Sequence, residues 1–205
     1  MSGPARPSLP SRLARAFVLW LYRRKGWRLE GGPPPGLRKA VIIGVPHTSN
    51  WDFVFFLGAT DDYGLRARFM GKASLFRWPL GRFMHEMGGV PVNRAARGAY
   101  VEAMVAAFAA HDDFLLVLAP EGTRGAIKGW KSGFYHIAMG AGVPIVCAWV
   151  DHAGKRGGLG PAIMPSGDYA ADMARIAAFY DSVIPGHPRL AAIPGRAGAG
   201  VISGT

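Results

Sequence analysis

Short apolar segments alternate along this chain with longer segments in which apolar residues recur at helical spacing. The apolar segments are rich in β-branched residues and lack the polar alternation of a half-exposed strand, so they predict strands buried on both faces. We predict such strands at residues 41–45, 114–119 and 143–150, shorter ones at 67–71 and 88–94, and an edge strand at 162–164. The alternation predicts an α/β domain: a mixed, largely parallel sheet covered by helices on both faces.

Helical patterns fill most of the intervals between these strands. They predict helices at residues 53–59, 98–110, 130–140 and 169–184, and helical turns on either side of Pro79 within residues 72–87. The length of 205 residues suits one such domain, with room for a substantial core.

An aromatic-rich amphipathic helix is predicted before the domain, starting at Ser11. Its uninterrupted apolar part is residues 16–22, whereas spanning a bilayer takes about 20 apolar residues. Cations follow directly at Arg23, Arg24 and Lys25, which is unlike a signal peptide. Two interpretations remain open: the helix lies in a membrane interface, or it packs on the domain with its arginine heads in solvent.

Changes in composition set the predicted boundaries. The linker at residues 31–36 contains three consecutive prolines and is stiff. We assign residues 1–36 to the membrane-interface helix and linker, 37–190 to the domain, and 191–205 to a flexible tail.

The charge balance indicates an anionic partner. The chain has 24 Lys and Arg against 13 Asp and Glu, a net charge of +11, which suits nucleic acid, an anionic membrane surface, or a phosphorylated or CoA-like molecule. Most aromatic residues lie in apolar runs and are not interleaved with basic ones, so we predict no nucleic-acid partner and keep a basic nucleic-acid-binding module as the alternative from another class. The single Cys147 is predicted to be a buried hydrophobe.

Several kinds of active site are absent from the sequence. No G-x-S-x-G nucleophile elbow occurs, and His85-Glu86 lacks the second histidine of a zinc helix. The other histidines outside the candidate site stand singly and are predicted to be surface or satisfied core residues: His111, His136, His152 and His187. We predict no metal and no cofactor.

Three predicted strands end in polar residues. In open α/β sheets, ligands bind at the carboxyl ends of the strands, so we expect these residues to converge there. The groups are His47 with Asp52, Asn93 with Arg94, and Glu121 with Thr123 and Arg124.

His47 and Asp52 are candidates for a general base and its partner. Neither a continuous helix nor a continuous strand brings side chains five residues apart together, whereas a strand, a tight turn and a first helical turn do. The carboxylate then holds the imidazole in one tautomer and leaves its other nitrogen free to take a proton. The alternative is a loop histidine, with Asp52 complementing the helix dipole.

Residues 120–124 place a carboxylate, a flexible glycine, a hydroxyl and a guanidinium within five positions. Gly122 permits the backbone to approach a ligand, and Arg124 is able to grip a phosphate through two parallel hydrogen bonds. Further positive charge is available from Lys72, Arg94, Lys128 and Lys131, although each lysine is also consistent with a solvated surface residue.

These stretches resemble the glycerophospholipid acyltransferase family, which includes the 1-acylglycerol-3-phosphate acyltransferases. The family's H-x-S-x-x-D is matched by His47, Ser49 and Asp52, and its Gly-to-Arg block by residues 89–94. Its F-P-E-G-T-R-S is matched by residues 120–124, with Ala119 in place of Phe and Gly125 in place of Ser. Its V-P-I-V run is matched by residues 143–146, followed by Cys147 where proline is common.

The resemblance implies acyl transfer from acyl-CoA or acyl carrier protein to a hydroxyl, most directly that of 1-acylglycerol-3-phosphate, giving phosphatidic acid. It implies that His47 is the base and Asp52 its partner, and that the acceptor is bound by Glu121, Gly122, Thr123 and Arg124, with Arg124 and Arg94 on its phosphate. We add Lys72 and Lys131 to the predicted substrate-binding residues for their positive charge. The expected location is the cytoplasmic face of the membrane without a transmembrane span. Two alternatives are another lipid acceptor, such as a lyso-amino-acid lipid or glycolipid, and a catalytically silent membrane-surface protein.

Overall fold

The computed structural model describes residues 7–92 and 97–196, except for the side chains of residues 97 and 98. Within these residues the chain forms a seven-stranded sheet in the order β1-β7-β6-β2-β5-β3-β4. The strands are β1 (Arg28–Gly31), β2 (Lys39–Val45), β3 (Ala67–Lys72), β4 (Gly89–Val92), β5 (Phe114–Leu118), β6 (Ile145–Asp151) and β7 (Arg156–Ile163). Every neighbouring pair is parallel except β6 and β7, which confirms the mixed, largely parallel sheet.

The helices connect these strands as the pattern predicted. They are α1 (Leu9–Lys25), α2 (Trp51–Asp62), α3 (Gly81–Glu86), α4 (Arg97–Ala110), α5 (Gly133–Ala141) and α6 (Tyr169–Val183). The predicted helical turns on either side of Pro79 are present: residues 73–76 form a 3₁₀ turn and residues 81–86 form α3. Gly81 lies so close to the backbone carbonyl of Phe76 that a side chain would not fit there, which favours a tight turn over a kinked helix.

The core lies on both faces of the central strands. On β2, Val41, Ile43 and Val45 pack into the larger cluster with α5 and α6, whereas Ala40 and Ile42 pack into the cluster on the opposite face. All five residues are buried. This burial on two sides is the reason why β2 lacks polar alternation.

The β7 strand was mispredicted. We expected a short edge strand at residues 162–164, but β7 runs from Arg156 to Ile163 and is paired on both sides, with β6 and with β1. The sequence pattern did not predict the full strand because β7 contains several glycines, and glycine has low strand propensity. A side chain at Gly158 would overlap the backbone carbonyl of Glu30, and one at Gly160 would overlap the ring of Phe179. The glycines therefore permit close approach of neighbouring elements and do not mark a turn.

Both ends of the predicted domain differ in detail from the sequence interpretation. Strand β1 occupies residues 28–31, between the predicted helix and the linker, where we expected no strand. A 3₁₀ helix, Pro188–Ala192, follows α6, and both Leu190 and Ile193 are buried in the larger core cluster. Packing thus extends into residues that we had assigned to the flexible tail.

Helix α1 packs on the domain through one face. Tyr22 is buried against Phe55 of α2, and Arg15 forms an ion pair with Asp61 at 2.6 Å. The opposite face leaves four large apolar side chains exposed at helical spacing, Leu9, Leu13, Phe17 and Trp20. Among the described residues, no helix has the length and apolar character needed to cross a bilayer.

Candidate active site

The candidate site lies at the carboxyl edge of the central strands. Because β2, β5 and β6 are parallel, their carboxyl ends meet at one edge of the sheet. His47 follows the end of β2, Glu121 follows the end of β5, and His152 directly follows β6. The topology thus brings three chain segments together, as open α/β sheets do at their ligand sites.

His47 and Asp52 are in contact. The His47 Nδ1 atom lies 3.0 Å from Asp52 Oδ2, and the backbone N–H groups of Thr48 and Ser49 each donate to the same oxygen at 2.9 Å. The turn after β2 and the start of α2 at Trp51 produce this arrangement. Among the described residues no hydrogen bond engages the other imidazole nitrogen, Nε2.

The Asp52 carboxylate is stabilised in its charged form. Burial raises its pKa, but hydrogen bonds from His152, His47 and the Ser49 backbone outweigh burial, so the pKa falls well below the usual aspartate value. An ionised Asp52 accepts hydrogen bonds only, so each imidazole must turn an N–H toward it.

His152 is a member of the site that the sequence interpretation missed. We had predicted an isolated surface or core histidine, but its Nε2 atom lies 2.7 Å from Asp52 Oδ1. The two residues are 100 positions apart, and nothing near His152 in the sequence indicates a partner. Only the adjacency of β2 and β6 reveals the contact.

Glu121 holds the backbone of His47. Its side chain is buried, and Oε1 accepts a hydrogen bond from the His47 backbone N–H at 2.7 Å, while Arg189 donates to Oε2. Burial raises the pKa of Glu121, although these two donors act against the rise. The contacts seen in the structure thus make Glu121 a support for the His47 loop; its expected contact with the acceptor stays a prediction.

Arg189 is the second residue that the sequence interpretation missed. Besides Glu121, its guanidinium donates to the backbone carbonyls of Thr123 (3.1 Å) and Arg124. It lies in the 3₁₀ helix after α6, in a segment rich in proline and glycine, where no local pattern marks it. The Arg189 guanidinium therefore connects the loop after β5 to the 3₁₀ helix after α6.

Arg124 and Lys131 lie at the same corner as the Glu121 loop. Arg124 Nη1 donates to Asn50 Oδ1 at 2.7 Å, and this hydrogen bond links the loop after β5 to the turn between β2 and α2. Gly122 has a φ of +69°, a conformation that favours glycine, and a Cβ atom there would lie 3.5 Å from Lys131 Cγ. Thr123 Oγ1 accepts a hydrogen bond from the Gly125 backbone N–H.

Of the remaining predicted residues, the structure describes Lys72 but not Asn93 or Arg94. Lys72 ends β3, which is parallel to β5, so it lies at the same edge of the sheet as the site. Arg94 and Asn93 fall outside the described residues. The described residues contain no group of three or more His, Cys, Asp or Glu side chains arranged to hold a metal ion.

A cavity of about 290 Å³ borders the His152 side of Asp52. It is lined by Lys25, Trp27, Thr48, Ser49, Trp51, His152 and Lys155. The Lys25 ammonium lies 4.3 Å from the centre of the Trp51 ring, close enough for a cation–π contact. The end of α1 therefore contributes directly to the surroundings of the site.

Comparisons with known proteins agree with this architecture. A family model described as Acyltransferase matches residues 33–151. A solved structure with a similar fold is that of the 1-acyl-sn-glycerophosphate (LPA) acyltransferase PlsC from Thermotoga maritima, with a TM-score of 0.50 and 18% identity. The alignment covers 84% of this chain and 79% of that chain, and at this identity the likeness shows the fold alone. No curated protein matches the sequence.

Proposed function

The chain belongs to the Acyltransferase family, whose model matches residues 33–151, and we propose that it transfers a fatty acyl group from a thioester to a hydroxyl of a lysophospholipid. The observation that carries this proposal is the contact of His47 Nδ1 with Asp52 at 3.0 Å. With Nδ1 engaged by Asp52, the Nε2 atom of His47 is available to a substrate. The loop after β5, which contains Arg124 and Lys131, lies at the same edge of the sheet.

The proposed chemistry uses His47 as a general base. Its Nε2 takes the proton of the acceptor hydroxyl while the hydroxyl oxygen attacks the thioester carbonyl carbon. The tetrahedral intermediate then collapses, the carbon–sulfur bond breaks, and the imidazolium returns its proton to the departing thiolate. Asp52 keeps the ring oriented and stabilises the imidazolium without itself taking the proton.

The proposed acceptor is 1-acylglycerol-3-phosphate, and its product is phosphatidic acid. Support comes from the loop after β5, which contains Gly122, Thr123, Arg124 and Lys131 and so supplies a guanidinium, an ammonium and a glycine with a φ of +69°. A phosphate monoester suits this loop because guanidinium groups bind phosphate through paired, charge-assisted hydrogen bonds. Arg94 and Lys72 are proposed to contribute further positive charge.

The proposed donor is acyl-CoA or acyl carrier protein. Both carry negative charge, and the net charge of +11 on the chain favours their approach. Because the acyl group comes from a thioester already activated for transfer, this chemistry proceeds without a cofactor or a serine or cysteine nucleophile.

We further propose that the protein binds peripherally to the cytoplasmic face of a membrane through α1. The exposed stripe of Leu9, Leu13, Phe17 and Trp20 is the support, together with the basic residues that end this helix. Three further large apolar side chains are exposed in the segment that leads into α3: Leu75, Trp78 and Leu80. This segment lies near α1, because Glu86 of α3 accepts hydrogen bonds from Ser8 beside the start of α1.

The test is a direct assay of the purified full chain with a long-chain acyl-CoA and 1-acylglycerol-3-phosphate. We expect thiol release and phosphatidic acid from the wild type, and no detectable transfer from His47→Ala, because the base is removed. His136→Ala, an exposed residue of α5, serves as the matched control. Turnover by His47→Ala near the wild-type level would refute the mechanism.

A panel of acceptors assayed with the same donor separates the proposed acceptor from other lipids. Preference for a lyso-amino-acid lipid or a glycolipid would favour that alternative acceptor. Salt-sensitive retention of nucleic acid, together with no transfer to any acceptor, would favour the nucleic-acid-binding alternative.

A further inference from the structure

The Asp52 carboxylate is shared by two imidazoles. Its Oδ2 atom lies 3.0 Å from His47 Nδ1 and accepts hydrogen bonds from two backbone N–H groups. Its Oδ1 atom lies 2.7 Å from His152 Nε2, and this is its one hydrogen bond to the described residues. His152 therefore engages Oδ1, the second carboxylate oxygen of Asp52, and Asp52 is the proposed partner of the base His47.

The fold holds His152 in place from three directions. It starts the four-residue loop between β6 and β7, whose flanking residues Asp151 and Arg156 are paired in the sheet. Asp151 Oδ1 accepts a hydrogen bond from the Gly154 backbone N–H at 2.9 Å, which closes the loop. The Trp27 indole packs against the His152 ring at 5.9 Å between centroids, in an edge-on arrangement.

The chemistry of this contact is determined by the charge of Asp52. A carboxylate is an acceptor, so the His152 Nε2 atom must carry a hydrogen and donate it. The Asp52 side chain is only 12% exposed, and a charged oxygen left without a donor at such a position is costly. Because both carboxylate oxygens are engaged, the orientation of the Asp52 carboxylate is fixed, and it fixes the orientation of the His47 imidazole that contacts Oδ2.

We propose, on the premise of the acyl-transfer function above, that His152 is a positioning residue that acts through Asp52 to hold the His47 base in its reactive orientation. Its Nε2 atom is already engaged by Asp52, so the proposal gives His152 no proton transfer with the substrate. His47, in contrast, donates its backbone N–H to Glu121 and so lies beside the loop after β5, which is proposed to bind the acceptor.

Steady-state kinetics of three His152 variants test this role. His152→Phe keeps a ring against Trp27 but has no N–H, His152→Ala removes both, and His152→Gln places an amide N–H where Nε2 was. We expect kcat to fall about tenfold or more in the Phe and Ala variants, by analogy with the loss of about 10–100-fold when the hydrogen-bond partner of a metal-bound histidine is removed. The Gln variant recovers most of the rate, and KM for both substrates stays within about twofold of wild type, because the substrate contacts are unchanged.

The matched control is His111→Ala, which changes a histidine that lies just before β5, at the opposite edge of the sheet. Three results would overturn the proposal: a wild-type kcat in His152→Phe, a Gln variant as slow as the Ala variant, or a loss confined to KM. The last would show that His152 contacts a ligand in the neighbouring cavity.

A second measurement does not depend on activity. Nitrogen-15 spectra of histidine-labelled wild-type protein report which ring nitrogen of each histidine carries hydrogen. We expect hydrogen on Nε2 of His152 and on Nδ1 of His47, and hydrogen on Nδ1 alone of His152 would overturn the proposal. If these tautomers are found but the wild type transfers no acyl group, the proposed function and the positioning role of His152 fail together, while the hydrogen bond between His152 and Asp52 stands.

Discussion

At the scale of single residues, the site depends on two carboxylates whose oxygens are engaged by donors of the same chain. Asp52 orients side chains, and Glu121 holds the backbone of His47 through one oxygen while pairing with Arg189 through the other. Removing one member of a buried pair leaves the other charge uncompensated, which costs more than the pair contributes in net stability. The residues that surround His47, the proposed base, are therefore also expected to be sensitive points for stability.

Arg189→Met should destabilise the fold in a pH-dependent manner. Glu121 would keep a buried charge without its partner, so we expect a loss of about 3 kcal/mol in the free energy of unfolding at neutral pH. Burial already raises the folded-state pKa of Glu121 above the usual 4.5, and the variant raises it further. A raised pKa favours the folded state below about 4.5 and disfavours it as the carboxyl ionises, so the loss should grow as pH rises from about 4.5.

Urea unfolding of both proteins across pH 4 to 8 measures this difference. Arg38→Met is the matched control, because Arg38 pairs with Asp113 on the surface, and such pairs are worth about 0–1 kcal/mol. An Arg189→Met loss that is constant across the pH range would contradict the assignment to Glu121.

Arg124→Ala should selectively impair phosphorylated acceptors. The side chain ends beside Asn50, and removing a charge-assisted contact to phosphate costs about 1.5–3 kcal/mol, so we expect KM for 1-acylglycerol-3-phosphate to rise at least about tenfold. Acyl transfer to a monoacylglycerol, which lacks the phosphate, should change little. Arg66→Ala, an exposed residue before β3 at the opposite edge, is the control. Equal losses for both acceptors would show that Arg124 supports the loop and does not bind phosphate.

At the scale of elements, α1 is joined to the sheet domain through α2. Gly58 of α2 lies directly beneath the Tyr22 ring, and the Tyr22 hydroxyl donates to Asp62 Oδ2 at 2.9 Å. Burial, followed by the hydrogen bond to Asp62, raises the pKa of Tyr22 well above its usual value. Because Lys25 and Trp27 follow in the chain and line the cavity by the site, this contact also positions part of the active-site surroundings.

Gly58→Ala should destabilise the protein even though alanine favours helices. The exchange gains up to about 1 kcal/mol in helix propensity, but the new Cβ atom would lie 2.1 Å from Tyr22 Cγ. Overpacking of this kind costs about 1–3 kcal/mol, so we expect a lower midpoint of thermal unfolding. Gly133→Ala at the start of α5, where no atom lies within 4 Å, should leave the midpoint unchanged or raised. A midpoint for Gly58→Ala at or above that of the wild type would show that α1 is not seated on α2 in this way.

At the scale of the whole molecule, the sheet divides the protein into an edge that carries the candidate site and faces covered by helices. That edge collects the carboxyl ends of the parallel strands, whereas α1 presents its apolar stripe on the outside of the α1–α2 contact. Lys25 ends α1 and lines the cavity near Asp52, so the proposed membrane-binding helix leads to the candidate site. A lipid acceptor would then reach the site without leaving the membrane surface.

Replacing both Phe17 and Trp20 by serine should weaken membrane binding. These side chains are more than half exposed, so the change should leave the fold intact. Burying each aromatic side chain is worth about 1.5–3 kcal/mol, so we expect partitioning onto vesicles of phosphatidylglycerol and phosphatidylcholine to fall at least about tenfold. Co-sedimentation of the full chain measures the effect, with Met164→Ser, an exposed apolar residue elsewhere, as control. Unchanged partitioning would refute the role of α1.

The sequence by itself determined those features that depend on local chemistry. The central strands were readable because burial on both faces leaves a continuous apolar run, as in β2, and the helices because apolar residues recur at helical spacing. The contact between His47 and Asp52 was predictable for the same reason: one strand, one turn and one helix start contain both residues.

Only the tertiary structure decided what distant segments do to one another. His152 reaches Asp52 across 100 positions, and Arg189 reaches Glu121 across 68, so no local pattern marks either contact. The glycines of β7 resemble a turn in sequence, and only the closeness of Glu30 and Phe179 explains them. The physical reason is that backbone preference and hydrophobic spacing act between near neighbours, whereas hydrogen-bond partners and close approaches are set by which strands lie side by side.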